Sequence, residues 1–169
     1  DLKPRLEGGK IERIDQPDKF KLIFRFRKGP CIYWLQFCVH PRYSRLHLLT
    51  SRPDEKPPAT GFCNVVRQHL TGAPVHGLKQ VENDRVVILE SMERDAMKRS
   101  HDIRLIAELI DVGSNLILVG KDDKVLGCLF TEDSDRRRLY PGAEYQPLPP
   151  PPSQPEKASR NRFEHVQST

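Results

Sequence analysis

The stretch Lys19-Phe20-Lys21-Leu22-Ile23-Phe24-Arg25-Phe26-Arg27-Lys28 decides the fold class. Four apolar residues at every second position share one face, and basic residues occupy most of the other face. Successive side chains of a β-strand point to opposite sides, so this alternation predicts a half-buried strand with a basic outer face. The alternating residues 10–15 precede it, and the turn signal Gln16-Pro17-Asp18 between them predicts a hairpin.

The rest of the chain continues with short strands between turn signals. Apolar or alternating runs predict strands near residues 32–39, 46–50, 75–81, 86–90, 103–110, 116–119 and 124–130. Thr60 precedes a run with helical spacing that stops at Thr71-Gly72, which predicts one internal helix. Residues 91–100 are interpreted as a charged connector and residues 133–138 as a charged segment. The pattern predicts an α+β fold, mainly antiparallel, with one or two helices.

The composition changes at Pro147, where prolines and then Lys, Arg, Ser and Gln dominate. This predicts a folded unit over residues 1–146 and a proline-rich linker or disordered tail over 147–169. The chain starts at Asp1 without a methionine, which suggests an excised domain. No run of about 18 apolar residues occurs, so the sequence predicts no membrane span.

The charge and the cysteines limit the classes of function. The 169 residues carry a net charge of +5, which indicates a moderate preference for polyanions. The four cysteines form no CxxC pair, and no histidine lies at a zinc-like spacing from them. We interpret them as small buried apolar residues of a reducing cytosol. No phosphate-binding glycine loop, carboxylate dyad or nucleophile motif is present, so the sequence predicts neither a cofactor nor an enzyme.

The pair Asp84-Arg85 stands directly before a run of β-branched and aliphatic residues. A carboxylate beside a planar five-donor guanidinium, held at the start of a strand, suits recognition of a polynucleotide. The alternative is a surface ion pair that closes a hairpin. Two further residues have similar alternatives: Trp34 is read as core rather than as a base-stacking platform, and His69 as a partly buried core residue rather than a ligand.

Several short motifs occur in one order and resemble a known family. They are Gly8-Gly9-Lys10-Ile11, Gln16-Pro17 with Lys19, His40-Pro41, Tyr43-Ser44-Arg45, His47, Pro57-Pro58, Phe62-Cys63, Arg67-Gln68-His69-Leu70, Asp84-Arg85, Ser114-Asn115-Leu116-Ile117-Leu118, and Pro141-Gly142 with Tyr145. Together they resemble the N-terminal domain of NFACT proteins, also called the fibronectin-binding protein A type. The resemblance covers roughly residues 2–150.

The resemblance implies a fold related to the N-terminal domain of formamidopyrimidine-DNA glycosylases, a mainly antiparallel β-sandwich with one or two flanking helices. It also implies a cytoplasmic role in ribosome-associated quality control. NFACT proteins bind obstructed large ribosomal subunits and recruit aminoacyl-tRNA for untemplated tailing of the stalled chain. The expected partners are therefore tRNA and the large ribosomal subunit. In that family an Asp-Arg pair is needed for tailing, and it falls on Asp84 and Arg85.

The expected nucleic-acid-binding residues combine this pair with basic residues near turns. They are Asp84, Arg85, Arg42, Arg45, Arg67, Lys79 and Lys19. The alternative for each basic residue is a solvated surface charge. The sequence departs from the family at Val112-Gly113, where an Arg-His commonly stands. A further family Asp lies before the Gly-Gly turn; we expect this chain to begin after that position, and we do not assign its role to Asp1. Two other functions stay open: a glycosylase-like DNA-binding or DNA-processing domain, and a fibronectin-binding adhesin.

Overall fold

The computed structural model describes residues 2–54, 61–81, 85–110 and 112–148. Within these ranges the chain forms two antiparallel meanders that pack face to face. The first sheet contains β1 (Lys10–Asp18), β2 (Lys21–Lys28), β3 (Cys31–Cys38) and β4 (Arg45–Leu48), in that order. The second contains β5 (Val75–Val81), β6 (Val86–Arg94), β7 (Ser100–Glu108), β8 (Asn115–Val119) and β9 (Val125–Cys128).

Two short helices flank the sheets, and a small hairpin lies beyond the second sheet. The helices are α1 (Lys3–Leu6) and α2 (Gly61–Leu70), and the hairpin pairs β10 (Glu132–Asp133) with β11 (Arg138–Leu139). A 3-10 turn spans Lys121–Asp123. This architecture confirms the predicted α+β, mainly antiparallel sandwich with flanking helices. No helix in the described part of the chain is long and apolar enough to cross a membrane.

The predicted strand over residues 19–28 is confirmed as β2, and its apolar face is fully buried between the sheets. The predicted turn at Gln16-Pro17-Asp18 is wrong, because β1 continues through it and the chain reverses at Lys19-Phe20. A register shift between Asp15 and Asp18 accommodates the proline, which has no N–H to donate and is tolerated at a bulge of an edge strand. The Asp18 carboxylate accepts the Phe20 N–H at 2.8 Å and closes the reversal.

The main core lies between the sheets and against the buried side of α2. Phe24 packs its ring against Phe26 and Phe37, with centroids 5.9 and 5.2 Å apart. Trp34, predicted to be core, lies instead on the outer face of the first sheet. It is paired with Arg25, whose guanidinium lies 5.9 Å from the indole ring. The period of two decides this placement, because the adjacent Leu35 takes the buried side of β3.

Two other predictions from the sequence are corrected by the structure. Residues 91–100 are not a connector, because β6 extends to Arg94 and β7 begins at Ser100. The reversal between them is built by Asp95, whose carboxylate accepts the N–H groups of Met97 and Arg99 at 2.9 Å each. Cys31 is exposed rather than buried, because it opens β3 directly after the Gly29-Pro30 turn, whereas the other three cysteines are buried as predicted.

A second, smaller core covers the outer face of the second sheet. Val86, Ile106, Ile117 and Leu139 contribute to it, and Leu148 packs against it from the C-terminal segment. The remainder of the predicted tail, residues 149–169, lies outside the described residues, as do Thr60 and Asp84. The boundary between folded unit and tail therefore stays a prediction.

A buried ion pair fastens the C-terminal segment to the second sheet. Arg137 lies within the segment that the sequence suggested was simply charged, yet its side chain is only 3% exposed. It donates two hydrogen bonds to Glu108, at 2.9 and 2.6 Å, and two to the Gln146 carbonyl, at 3.1 and 2.8 Å. The Tyr145 hydroxyl donates to the same carboxylate at 3.0 Å. The partners of Arg137 thus fix the path of residues 137–146 over the sheet.

Candidate nucleic-acid interface

The two meanders place several chain reversals at one end of the sandwich, which we call the loop end. In the first sheet, Lys21 pairs with Cys38 and Cys38 with Arg45, so the Lys19-Phe20 reversal and the 39–44 loop are neighbours. In the second sheet, Val86 pairs with Glu108, and Glu108 with Asn115. The residues Arg85, Leu109, Ser114 and Leu129, each just beyond a strand, therefore lie at one end of that sheet. Strands alternate in direction, so alternate connections in each meander share an end.

An aromatic contact joins the loop ends of the two sheets. The Phe20 ring of the first sheet lies 6.0 Å from the Phe130 ring that follows β9. Asn115 holds the Phe130 backbone at both polar groups, donating to its carbonyl at 2.7 Å and accepting its N–H at 3.0 Å. The two sheets therefore present a single surface at this end.

Arg85 is exposed on the same surface and has an anchored backbone. Its carbonyl accepts the Leu109 N–H at 2.6 Å, which ties the start of β6 to the end of β7. Ser114 is buried, and its hydroxyl donates to the Ile110 carbonyl within the next reversal. Three strand spacings separate β6 from β9, so Arg85 lies about 14 Å along the sheet from Phe130.

Among the residues that the structure describes, the exposed cations of the loop end are Lys19, Arg42, Arg45 and Arg85. The Lys19 ammonium lies 4.9 Å from the Phe20 ring centroid. Arg42 and Arg45 make no ion pair with any residue that the structure describes. Burial lowers the pKa of His47, beside β3, and the positive charges of Arg45 and Lys21 lower it further. The smaller, electrostatic part of this lowering is the effect expected where several cations lie close together.

The basic strand predicted from residues 19–28 contributes less to this surface than its sequence suggests. Arg25 and Arg27 both contact Glu12 of β1, with nitrogen–oxygen distances of 3.5 and 2.9 Å. The Arg27 hydrogen bond is the main reason why the pKa of the Glu12 carboxyl is lowered. Lys21 lies 3.7 Å from Asp18. Cross-strand ion pairs thus neutralise much of the outer face of β2.

A family model described as "NFACT N-terminal and middle domains" matches residues 1–169, the whole chain. The chain belongs to the NFACT family. Two curated relatives named Rqc2 homolog RqcH are each 29% identical to it. The Streptococcus pneumoniae protein aligns over 86% of this chain and the Bacillus subtilis protein over 89%, in each case with 27% of the relative. The chain therefore spans about a quarter of the length of the relatives it matches.

Solved structures of this family have the same fold. The N-terminal domain of fibronectin-binding protein PavA from Streptococcus pneumoniae has a TM-score of 0.78 at 29% identity, covering 98% of this chain and 64% of that chain. The N-terminal part of the fibronectin/fibrinogen-binding protein from Streptococcus suis has a TM-score of 0.79 at 27% identity, covering 88% of this chain and 56% of that chain.

The NFACT chain brings together only part of the predicted site. Lys19, Arg42, Arg45 and Arg85 share the loop end, whereas Asp84 lies outside the described residues. Arg67 is engaged within the fold: its guanidinium donates to the Ile14 carbonyl at 2.7 Å and to the Asp15 carboxylate at 3.3 Å. Lys79 is exposed on β5 and pairs with Glu90 at 3.0 Å.

His69 is partly buried, as predicted for a core position, and its Nδ1 lies 2.6 Å from the Glu93 carboxylate.

The sequence analysis missed Phe20 and Phe130 as members of the candidate surface. The alternation places Phe20 on the buried face of its strand, and the apolar run places Phe130 at a strand end. No local pattern relates them, because the contact between them depends on how the two sheets pack.

Proposed function

We propose that this NFACT chain is the tRNA- and ribosome-binding module of a cytoplasmic ribosome-associated quality control factor. In this proposal the full-length protein binds the obstructed large ribosomal subunit and recruits aminoacyl-tRNA for untemplated tailing of the stalled chain. The module itself binds RNA and catalyses no reaction. The observation that carries the proposal is the loop end, where exposed cations from both sheets share one surface. The relatives named Rqc2 homolog RqcH support the assignment to quality control.

The loop end suits an RNA backbone for two physical reasons. Guanidinium groups form paired hydrogen bonds with phosphate oxygens, and three of the four exposed cations are arginines. Lys19, Arg45 and Arg85 lie at or next to strand ends, and a backbone hydrogen bond from Tyr43 to His40 closes the reversal that carries Arg42. Little of the backbone must therefore be ordered when RNA binds. Arg85 adds an exposed guanidinium from the second sheet to this surface.

The first experiment measures the binding of fluorescently labelled tRNA to this chain over a series of salt concentrations. Four phosphate contacts predict that the logarithm of the affinity falls with the logarithm of salt with a slope of about 3. The double variant Arg42→Ala/Arg45→Ala should reduce that slope to about 1.5. A matched control, Lys121→Ala/Lys124→Ala, removes the same charge from the opposite end of the second sheet and should leave the slope unchanged.

Two results would contradict the proposal. One is a tRNA affinity that does not depend on salt or that equals the affinity for an acidic protein. The other is saturable binding to immobilised fibronectin with no binding to tRNA, which would favour an adhesin, as the descriptions of the solved relatives suggest. A covalent adduct trapped by reductant on abasic DNA would favour the glycosylase-like alternative, and we expect none.

The second experiment tests the Asp-Arg pair in the full-length protein. Asp84→Ala and Arg85→Ala should each abolish tail addition on obstructed large subunits, because the pair positions the recruited tRNA. Normal tailing by both variants would show that the pair is assigned to the wrong role.

A further inference from the structure

Four rings form a continuous line on the loop end, which we call the ring stack: Phe130, Phe20, His40 and Tyr43. The Phe20 ring centroid lies 6.0 Å from that of Phe130 and 4.9 Å from that of His40, and the Phe20 and His40 rings are T-shaped with an interplanar angle of 72°. His40 then stacks on Tyr43 at 4.4 Å with an interplanar angle of 20°. The line begins beside the sheet junction and ends in solvent, where Tyr43 is 59% exposed.

The outermost ring is held in place by its own loop. The Tyr43 N–H donates to the His40 carbonyl at 3.1 Å, which closes a four-residue reversal with Pro41 at its second position. Proline at that position is favoured because its φ is already fixed. The Arg42 N–H donates to His40 Nδ1 at 3.1 Å, which sets the orientation of the imidazole ring. The position of the Tyr43 ring is therefore set by the protein before any ligand binds.

Tyr43 has one covered face and one open face. His40 covers the first, and the large exposure of the side chain leaves the second open to solvent. Arg42 and Arg45 stand on either side of Tyr43 in the chain, and Lys19 lies over the Phe20 ring within the same stack. A flat apolar surface with exposed arginines nearby in the chain matches a planar base attached to a phosphate backbone.

We propose that the open face of Tyr43 is a stacking platform for an unpaired RNA base, with Arg42 and Arg45 binding the phosphates next to that base. This inference rests on the proposed RNA-binding function and specifies the part of the RNA that the loop end recognises. A base within a duplex already has neighbours on both faces, so the platform takes a base from a loop or a single-stranded segment. Stacking does not depend on base identity, so the platform positions RNA without selecting sequence.

The test uses two labelled RNA hairpins with the same stem and the same number of phosphates. One carries an unpaired loop with all of its bases, and the other carries abasic residues throughout the loop. The chain should bind the first hairpin about tenfold more tightly than the second, as expected for a single base–aromatic stack. Tyr43→Ala should remove this preference, Tyr43→Phe should keep it within about twofold, and Met97→Ala, an exposed residue at the opposite end, should keep it fully.

The salt dependence of binding distinguishes the stacking platform from the proposed RNA-binding function on which it rests. Tyr43→Ala removes no charge, so its salt slope should equal that of the unmodified chain. If Tyr43→Ala retains the preference for the hairpin with bases while Arg42→Ala weakens the binding of both hairpins, the stacking platform is refuted and the phosphate interface is supported. Salt-independent binding of both hairpins would refute the RNA interface and the platform together. Circular dichroism of each variant checks that a lost preference does not reflect unfolding.

Discussion

Replacing Arg137 by methionine should destabilise the fold by about 3–5 kcal/mol. The change leaves the fully buried Glu108 carboxylate without its two guanidinium bonds, and the Gln146 carbonyl loses its two donors as well. Tyr145 is then the only one of these side chains that still donates to the carboxylate. Burial and the nearby Glu108 charge raise the pKa of Tyr145, so its hydroxyl keeps the proton that it donates. One hydrogen bond cannot replace the compensation of a buried charge.

The assay is urea unfolding followed by far-ultraviolet circular dichroism, with thermal unfolding as a second measure. A domain of this size loses about 2–4 °C in Tm for each kcal/mol, so the melting temperature should fall by about 6–20 °C. Arg104→Met is the matched control, because it removes a guanidinium whose partner, Asp123, is 60% exposed. Such a surface pair contributes about 0–1 kcal/mol.

A double variant distinguishes the buried charge from lost packing. Glu108→Leu combined with Arg137→Met removes both charges and should be more stable than Arg137→Met alone, because no uncompensated charge stays buried. The reasoning is refuted if Arg137→Met costs no more than Arg104→Met. It is also refuted if the double variant is less stable than the single variant.

Three further predictions concern the loop end, the thiols and the acid side of the stability curve. Asn115→Ala should cost about 1–3 kcal/mol in urea unfolding, because the backbone of Phe130 loses both of its amide partners; an unchanged midpoint would contradict this. Ellman's reagent should modify one thiol in the native chain, Cys31, and four after denaturation, because the other three are buried. The hydrogen bond from His101, with those from Arg99 and Met97, lowers the pKa of Asp95 to about 2. Its stabilising contribution is therefore complete above about pH 4 and lost as the pH falls toward 2. Proton titration by NMR should show that pKa move back toward 3.8 in His101→Ala, and no movement would contradict the assignment.

The strands could be predicted where the burial pattern is local. The alternation of apolar and basic residues over 21–28 reflects which face of the strand meets the core. This local pattern is therefore sufficient to predict the strand. The charged residues 91–100 obscured a hairpin because strand ends that project beyond the core tolerate charge on both faces. The bulge that carries β1 through Pro17 has no reliable local signal either.

The remaining features that could not be predicted depend on contacts between residues far apart in the sequence. Arg137 looks like a surface residue until Glu108, 29 positions earlier, is placed beside it. The same holds for Arg67, predicted to bind nucleic acid, whose guanidinium donates to the Ile14 carbonyl and the Asp15 carboxylate of β1. The resemblance to the NFACT family predicts RNA-binding residues in several separate loops. Only the packing of the two sheets shows that Phe20 and Phe130 bring those loops onto one surface.

The location of the RNA interface is the central claim, and NMR mapping tests it most directly. The isotope-labelled chain is titrated with tRNA, and the backbone amide shifts are followed residue by residue. We predict the largest changes at residues 19–21, 40–45, 85, 109–115 and 129–131. We predict no significant change at residues 28–31, 95–99 and 120–124, which lie at the opposite end of the sandwich. Changes concentrated at that opposite end, or spread evenly over both ends, would contradict the account.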